Sequence, residues 1–226
     1  MQLLDRLPPR ALIARHGHAA PYAAVVLGGG YEEAGDGGRF RVGAGDVLIH
    51  GAFSRHLDRD ATPGAVVLNL PLPMSWIGAS ARATVDDVDA LARLAERDVR
   101  AAGVLVRAAM KPMEATPLEE IDLLGVRLSE REPPRLEDWV GARMDRTTAW
   151  RRFQAAYGVS PTRYRVEARA RRAWRRLMEG ADRLADIAAL EGYADQAHLT
   201  RDLGALTGRT PGQWRAMQHS FKTAPA

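Results

Sequence analysis

The chain has 226 residues, 46% hydrophobic and 27% charged, enough for one large domain or two small ones. It contains no cysteine, which excludes disulfides, thiolate metal sites and cysteine nucleophiles. No run of about 18 uncharged apolar residues occurs, and no apolar stretch of the signal-peptide kind follows the first charges, so the expectation is a cytoplasmic protein without a membrane partner.

The net charge of +4 is unevenly spread. Residues 1–83 carry +1, residues 84–134 carry −4, and residues 135–226, with 17 bases against 10 acids, carry +7. A basic last third behind an acidic middle points to a polyanion-binding module at the C-terminus, against the plainer alternative of a solvated basic surface. Thirty of the 32 bases are arginine, as expected of a GC-rich genome.

The first 80 residues read as β. Short apolar runs at 11–14, 22–27, 39–42, 47–50 and 65–70 are separated by turn signals at 28–30, 35–38, 43–46 and 62–64, a pattern that predicts a sandwich or barrel. The period changes at Thr84, which is placed to cap a helix with Asp86 and Asp87 in its first turn. A second helical run extends from Val99 to Met110, and a third starts at a Thr116-Pro117-Leu118-Glu119 capping box. The polar stretch 129–134, ending in two prolines, is the best linker candidate. This gives a β-domain over 1–83, a helical dimerisation or linker segment over 84–134 and an all-α domain over 135–221.

From Leu136 to about Met217 the pattern is helical. Ser160-Pro161 starts a long helix reaching Met178, with seven arginines against the single acid Glu167. The most informative stretch is Ile187 to Leu203. A helix holding Ile187-Ala188 stops at Gly192, Tyr193 turns inward, and Asp195 caps a second helix, as in a helix-turn-helix. Leu199 and Leu203 face inward in that second helix. Gln196, Ala197, Thr200 and Arg201 face outward, and Gln and Arg suit adenine and guanine edges in the major groove.

These residues resemble the AraC-type (AraC/XylS) family of bacterial transcription regulators. The resemblance continues through Thr207-Gly208-Arg209-Thr210-Pro211-Gly212-Gln213-Trp214-Arg215, and upstream through Trp150 to Tyr164, covering about Leu136 to Arg215. It implies two helix-turn-helix motifs joined by the arginine-rich helix. In the first motif, counting back from Phe153, the turn position usually filled by Gly is Arg143, followed by Met144 and the N-cap Asp145. By helical spacing Arg146, Thr147, Trp150, Arg151 and Gln154 face outward there, with Ala149 and Phe153 inward. The expected DNA-binding residues are these five together with Gln196, Ala197, His198, Thr200 and Arg201. Trp150 has packing against the linker helix as its alternative, and His198 is either a phosphate contact or a solvated residue. The linker-helix arginines read mostly as a solvated face.

Four of the six histidines lie in the β region. His16-Gly17-His18 puts two rings on one strand face, and the Gly45 to His50 segment followed by His56 resembles the second motif of cupin barrels. In that family a His-x-His pair, a following Glu and a later His hold a metal. Tyr22 stands near the Glu position here, and Glu32 and Glu33 come too late to fit. The resemblance therefore implies a cupin-like barrel without metal, with His16, His18, Tyr22, His50 and His56 around an effector pocket.

The expected fold is α+β and multidomain: an N-terminal cupin-like β-barrel and a C-terminal all-α domain with two helix-turn-helix motifs. The expected function is a sequence-specific DNA-binding transcription regulator controlled by a small-molecule effector. Its expected partners are double-stranded DNA, the effector, RNA polymerase and a second copy of the chain. The alternative is a metal-dependent cupin enzyme with an appended helical domain. No Ser-His-Asp, P-loop or dinucleotide fingerprint offers another chemistry, and no catalytic residues or cofactors are expected.

Overall fold

A computed structural model describes residues 2–76, 80–113, 118–140 and 144–223. Two compact units divide at Leu118/Glu119. Among the described residues no helix is long and apolar enough to cross a membrane.

The first unit is built on an antiparallel sheet. Its strands are β1 (Leu4–Leu7), β2 (Leu12–Gly17), β3 (Tyr22–Gly35), β4 (Gly38–Gly43), β5 (Asp46–His50), β6 (Arg55–Pro71), β7 (Ala81–Thr84) and β8 (Lys111–Pro112). The path runs β1-β6-β3-β5-β7-β8, with β2 added on β6 and β4 on β3. Two strands are far longer than the sequence pattern predicts. Gly28-Gly29-Gly30 and Thr62-Pro63-Gly64, expected as turns, lie inside β3 and β6.

The reason is a pair of irregularities in β3–β6 pairing, between Val26 and Gly28 and between Gly29 and Tyr31. Gly29 has φ +69°, and a Cβ there would meet the Gly64 carbonyl oxygen at 1.8 Å. Glycine lets the two long strands bend past each other at close range instead of ending. The bulge also changes which residues share a face. Tyr22, Ala24 and Val26 pack with Tyr31 on one side, so odd-numbered residues follow even-numbered ones onto the same face.

The opposite face of the sheet, with Ala23, Val25, Val47 and Ile49, is covered by α1 (Val88–Ala95) and α2 (Val99–Ala109). Thr84 closes β7 rather than capping a helix. The cap of α1 is Asp87, whose carboxylate accepts from the Ala90 amide at 2.8 Å. Leu91, Ala95, Ala102 and Val106 are buried against the sheet, while Val104 and Leu105 stay 59% and 39% exposed.

The second unit is helical: α3 (Glu120–Leu128), α4 (Leu136–Val140), α5 (Arg146–Tyr157), α6 (Pro161–Glu179), α7 (Leu184–Leu190), α8 (Gln196–Thr207) and α9 (Pro211–Thr223). Thr116 and Pro117 of the expected capping box lie outside the described residues, and Glu119, at the N-cap of α3, makes no side-chain capping bond. The 84–134 segment is thus shared. Its first two helices complete the sheet unit, and α3 packs on α5 and α6, with buried Asp122 accepting from the Tyr157 hydroxyl at 2.8 Å. Nor does the expected linker 129–134 hang free of the helices. The Ser129 carbonyl accepts from Arg172 at 2.6 Å, and Arg131 donates to the Leu190 carbonyl at 2.7 Å.

Candidate functional site

In the sheet unit the five residues expected around a pocket do come together. His16 pairs with His56 across β2 and β6, and Tyr22 pairs with His50 across β3 and β5. The rings then touch in a chain: His18 to Tyr22 at 4.8 Å, Tyr22 stacked on His50 at 4.4 Å, His50 to His56 at 4.5 Å and His56 to His16 at 4.2 Å. The interior space they surround is only about 80 Å³.

Two acids that the sequence reading set aside or did not single out sit with them. Glu33 and Asp58, paired across β3 and β6, are both buried. His50 Nε2 lies 3.4 Å from Glu33 Oε2, and His56 Nε2 lies 3.7 Å from Asp58 Oδ2. The shift in β3–β6 register between Val26 and Gly28 puts Glu33 on the face of Tyr22. Burial first, and then the neighbouring histidines, lowers His50 to about 3 and His56 well below its usual range. Burial pushes Asp58 up to about 7, and burial with the nearby Asp58 and Asp36 raises Glu33. His50 and His56 are therefore held neutral beside carboxyls that resist ionisation.

A larger opening of about 340 Å³ adjoins the cluster. Of the five expected pocket residues only His50 and His56 line it. Its walls include Phe40, Ile49 and Met113, and the Arg82 guanidinium lies 4.3 Å over the Phe40 ring.

The helical unit contains one arrangement twice, offset by 50 positions. Asp145 and Asp195 cap α5 and α8, accepting from the Thr148 and His198 amides at 2.9 and 2.7 Å. Ala149 and Phe153 match Leu199 and Leu203, and all four are fully buried. Gly158 and Gly208 end the two helices with φ of 68° and 73°. Ser160-Pro161 and Thr210-Pro211 then start α6 and α9, burying Tyr164 and Trp214. Thr210 and Gln213 cap reciprocally: the Thr210 amide donates to Gln213 Oε1 at 2.8 Å and the Gln213 amide to Thr210 Oγ1 at 3.3 Å. The offset sets Ala142, not Arg143, opposite Gly192 in the sequence; both Ala142 and Arg143 lie outside the described residues.

Residues 141–217 match a family model described as a helix-turn-helix domain. This part of the chain is an AraC-type helix-turn-helix domain. Among solved structures the chain is similar to an AraC-type transcriptional regulator from Chromobacterium violaceum, at 22% identity over 48% of this chain and 92% of that one, with a TM-score of 0.40. It is similar to unsaturated fatty acid-bound ToxT from Vibrio cholerae at 11% identity over 95% and 94%, TM-score 0.42. A third likeness is the DNA-binding domain of AdpA in complex with a target DNA, 21% identical over 47% and 99%, TM-score 0.43. Comparison with curated proteins gives no match.

Within the AraC-type domain, Arg146, Thr147, Trp150, Arg151 and Gln154 are exposed on α5, and Gln196, Ala197 and Arg201 are exposed on α8. Thr200 is half-buried and its hydroxyl donates to the Gln196 carbonyl at 2.9 Å. Arg146 is 3.6 Å from Glu137. Trp150, 43% exposed, borders a groove with Pro161 and Arg165 at the start of the linker helix. His198 is partly buried: its Nε2 lies 3.2 Å from Arg169 and 3.6 Å from Asp202, and its ring meets Tyr193 edge-on.

The arginine face of α6 is the larger correction, because much of it is spent inside the unit. Buried Glu191 accepts from Arg172 at 3.0 Å and from Arg176 at 3.2 Å. Arg169 donates to Asp202 at 3.0 Å and to the Gly192 carbonyl at 3.2 Å, with its guanidinium 4.1 Å over Tyr193. Arg163 pairs with Glu167 at 3.2 Å. Spacing reads these side chains as a stripe; apart from Glu167, their acidic partners lie outside α6 and are invisible to it. Among the described residues Arg151, Arg152, Arg165, Arg183 and Arg201 make no such pair.

Proposed function

We propose that the protein is a cytoplasmic, effector-controlled transcription regulator that binds double-stranded DNA through α5 and α8. The observation that carries this reading is the matched placement of Arg151 and Arg201. Both occupy the same position of their helix, both are exposed, and neither has an internal partner among the described residues. Arginine that is neither paired nor buried keeps its planar fork for guanine O6 and N7, or for phosphate. Each helix presents its N-terminal turn outward beyond an aspartate cap, as a helix entering the major groove does. The linker helix, pinned to α8 by Arg169 and to Glu191 by Arg172 and Arg176, holds the second motif at a fixed place.

The site of effector binding is the opening of about 340 Å³ beside Phe40 and Arg82. Its size suits a small organic molecule, with apolar walls for burial and Arg82 and Ser80 for orientation. A homodimer and a contact to RNA polymerase complete the reading, in which the chain carries no catalytic residues. The boundaries follow as a sensing domain over 1–83 with its two covering helices, and a DNA-binding domain within 135–221.

Genome-wide mapping of bound DNA, followed by binding assays with the recovered sequences, tests this. Enrichment of a shared sequence that the purified chain binds more tightly than random DNA is the expected result. No enrichment, or equal affinity for both, overturns it.

A further inference from the structure

The interior cluster of the sheet unit has a chemistry that DNA binding does not use. Three strands each contribute one buried side chain: Glu33 from β3, His50 from β5 and His56 from β6. One donor atom from each lies within 4.8 Å of the others. The His50 to Glu33 separation, 3.4 Å, already equals the spacing of two ligands on a tetrahedral ion with bonds of about 2.1 Å.

Two of these donors are also unspent. His50 Nε2 and His56 Nδ1 are buried without a hydrogen-bond partner, whereas buried polar groups are ordinarily paired. Two orphan ring nitrogens in one cluster ask for a shared partner. The interior space of about 80 Å³ decides what kind: it holds an ion with one or two waters, each taking about 30 Å³. It does not hold an organic molecule. The same three residues also line the larger opening, which gives an ion a way in.

We propose that Glu33, His50 and His56 bind one divalent transition-metal ion of the zinc or cobalt type. Two imidazoles and one carboxylate suit such an ion, and three protein ligands leave a fourth position for water or another donor. Burial keeps both imidazoles neutral, as ligation requires, and the ion supplies the positive charge that a buried Glu33 carboxylate otherwise lacks. Asp58, 3.7 Å from the Nε2 of His56, is placed to orient that ring when Nδ1 ligates. This site differs from the one expected in the sequence. The His16-x-His18 pair forms a second possible triad with His56, but both its rings are only partly buried, whereas Glu33, His50 and His56 are all buried.

The experiment uses untagged full-length protein, stripped with chelator and dialysed. Zn²⁺ binding is followed by calorimetry and elemental analysis, and Co²⁺ binding by its visible absorption. Wild-type protein is expected to take up one equivalent of either ion. Glu33→Gln and His50→Asn are expected to weaken binding at least tenfold, with His18→Asn close to wild type. Circular dichroism confirms folding, and the near-isosteric Glu33→Gln remains the probe if His50→Asn does not fold. Absence of stoichiometric uptake by the wild type overturns the proposal. So does unchanged affinity in Glu33→Gln, or loss in His18→Asn with His50→Asn unaffected, which assigns the ion to the other triad. DNA affinity of the same samples is measured separately. Retained DNA binding without metal uptake sinks the metal site alone.

Discussion

Arg169 of α6 donates to Asp202 of α8 at 3.0 Å, and through that pair α6 sets where α8 stands. The guanidinium also caps the Gly192 carbonyl and covers Tyr193, so one side chain fixes the turn and the helix together. Arg169→Ala should cost about 1–3 kcal/mol of unfolding free energy, since it strands a half-buried carboxylate and removes a stacked plane. Arg169→Lys should recover little of this, because an ammonium neither forks nor stacks as a guanidinium does. Chemical denaturation of the three proteins is the measurement, and full recovery by lysine refutes the role given to the planar group.

Arg201→Ala is expected to weaken binding to the recovered DNA site by about 1–3 kcal/mol and to relax preference at one base position. Arg151→Ala should act at a different base position, with a smaller loss of specificity. Competition binding against single-base variants of the site reads both. An equal loss on specific and random DNA would show a phosphate contact instead.

Internal pairing of Arg163, Arg169, Arg172 and Arg176 lowers the number of charges left for phosphate. About four to five phosphate contacts give a log–log salt slope of roughly −4. A slope near zero would exclude electrostatic binding, and one near −9 would mean that the paired arginines are released on DNA.

Leu91 and Leu105 separate two roles of the helices that cover the sheet. Leu91 is 2% exposed, so Leu91→Asp should unfold or severely destabilise the sheet unit by placing a carboxylate in its core. Leu105 is 39% exposed, and Leu105→Asp should stay within about 0.5 kcal/mol of wild type. Sedimentation of Leu105→Asp then tests the proposed homodimer without that confusion: a dimer in the wild type and a monomer in the variant place the contact on this face of α2.

Gly29→Ala and Gly208→Ala share a positive φ but not a neighbourhood. At Gly208 nothing lies near the added methyl, and the cost should be about 1–2 kcal/mol for the left-handed backbone. At Gly29 the methyl would sit 1.8 Å from a carbonyl oxygen, so the long strands must part and the loss should exceed that at Gly208 severalfold. Thermal unfolding of each variant compares them.

The local patterns of the sequence determined most of the helical unit. A proline after a hydroxyl residue, an aspartate ahead of an apolar period, and a glycine behind it fix where each helix starts and stops through bonds within one turn. Ala149, Phe153, Leu199 and Leu203 were legible as inward positions for the same reason, and the repeat at 50 positions was there to be counted. Only the tertiary structure decided which arginines are paired inside the helical unit, because the partners of Arg169 and Arg172 lie 33 and 19 residues away, on other elements. In the sheet unit alternation holds only while strands stay regular. The bulge at Gly28–Gly30 shifts every later residue of β3 by one face, so Glu33 joins the histidines by long-range strand pairing that no local spacing encodes.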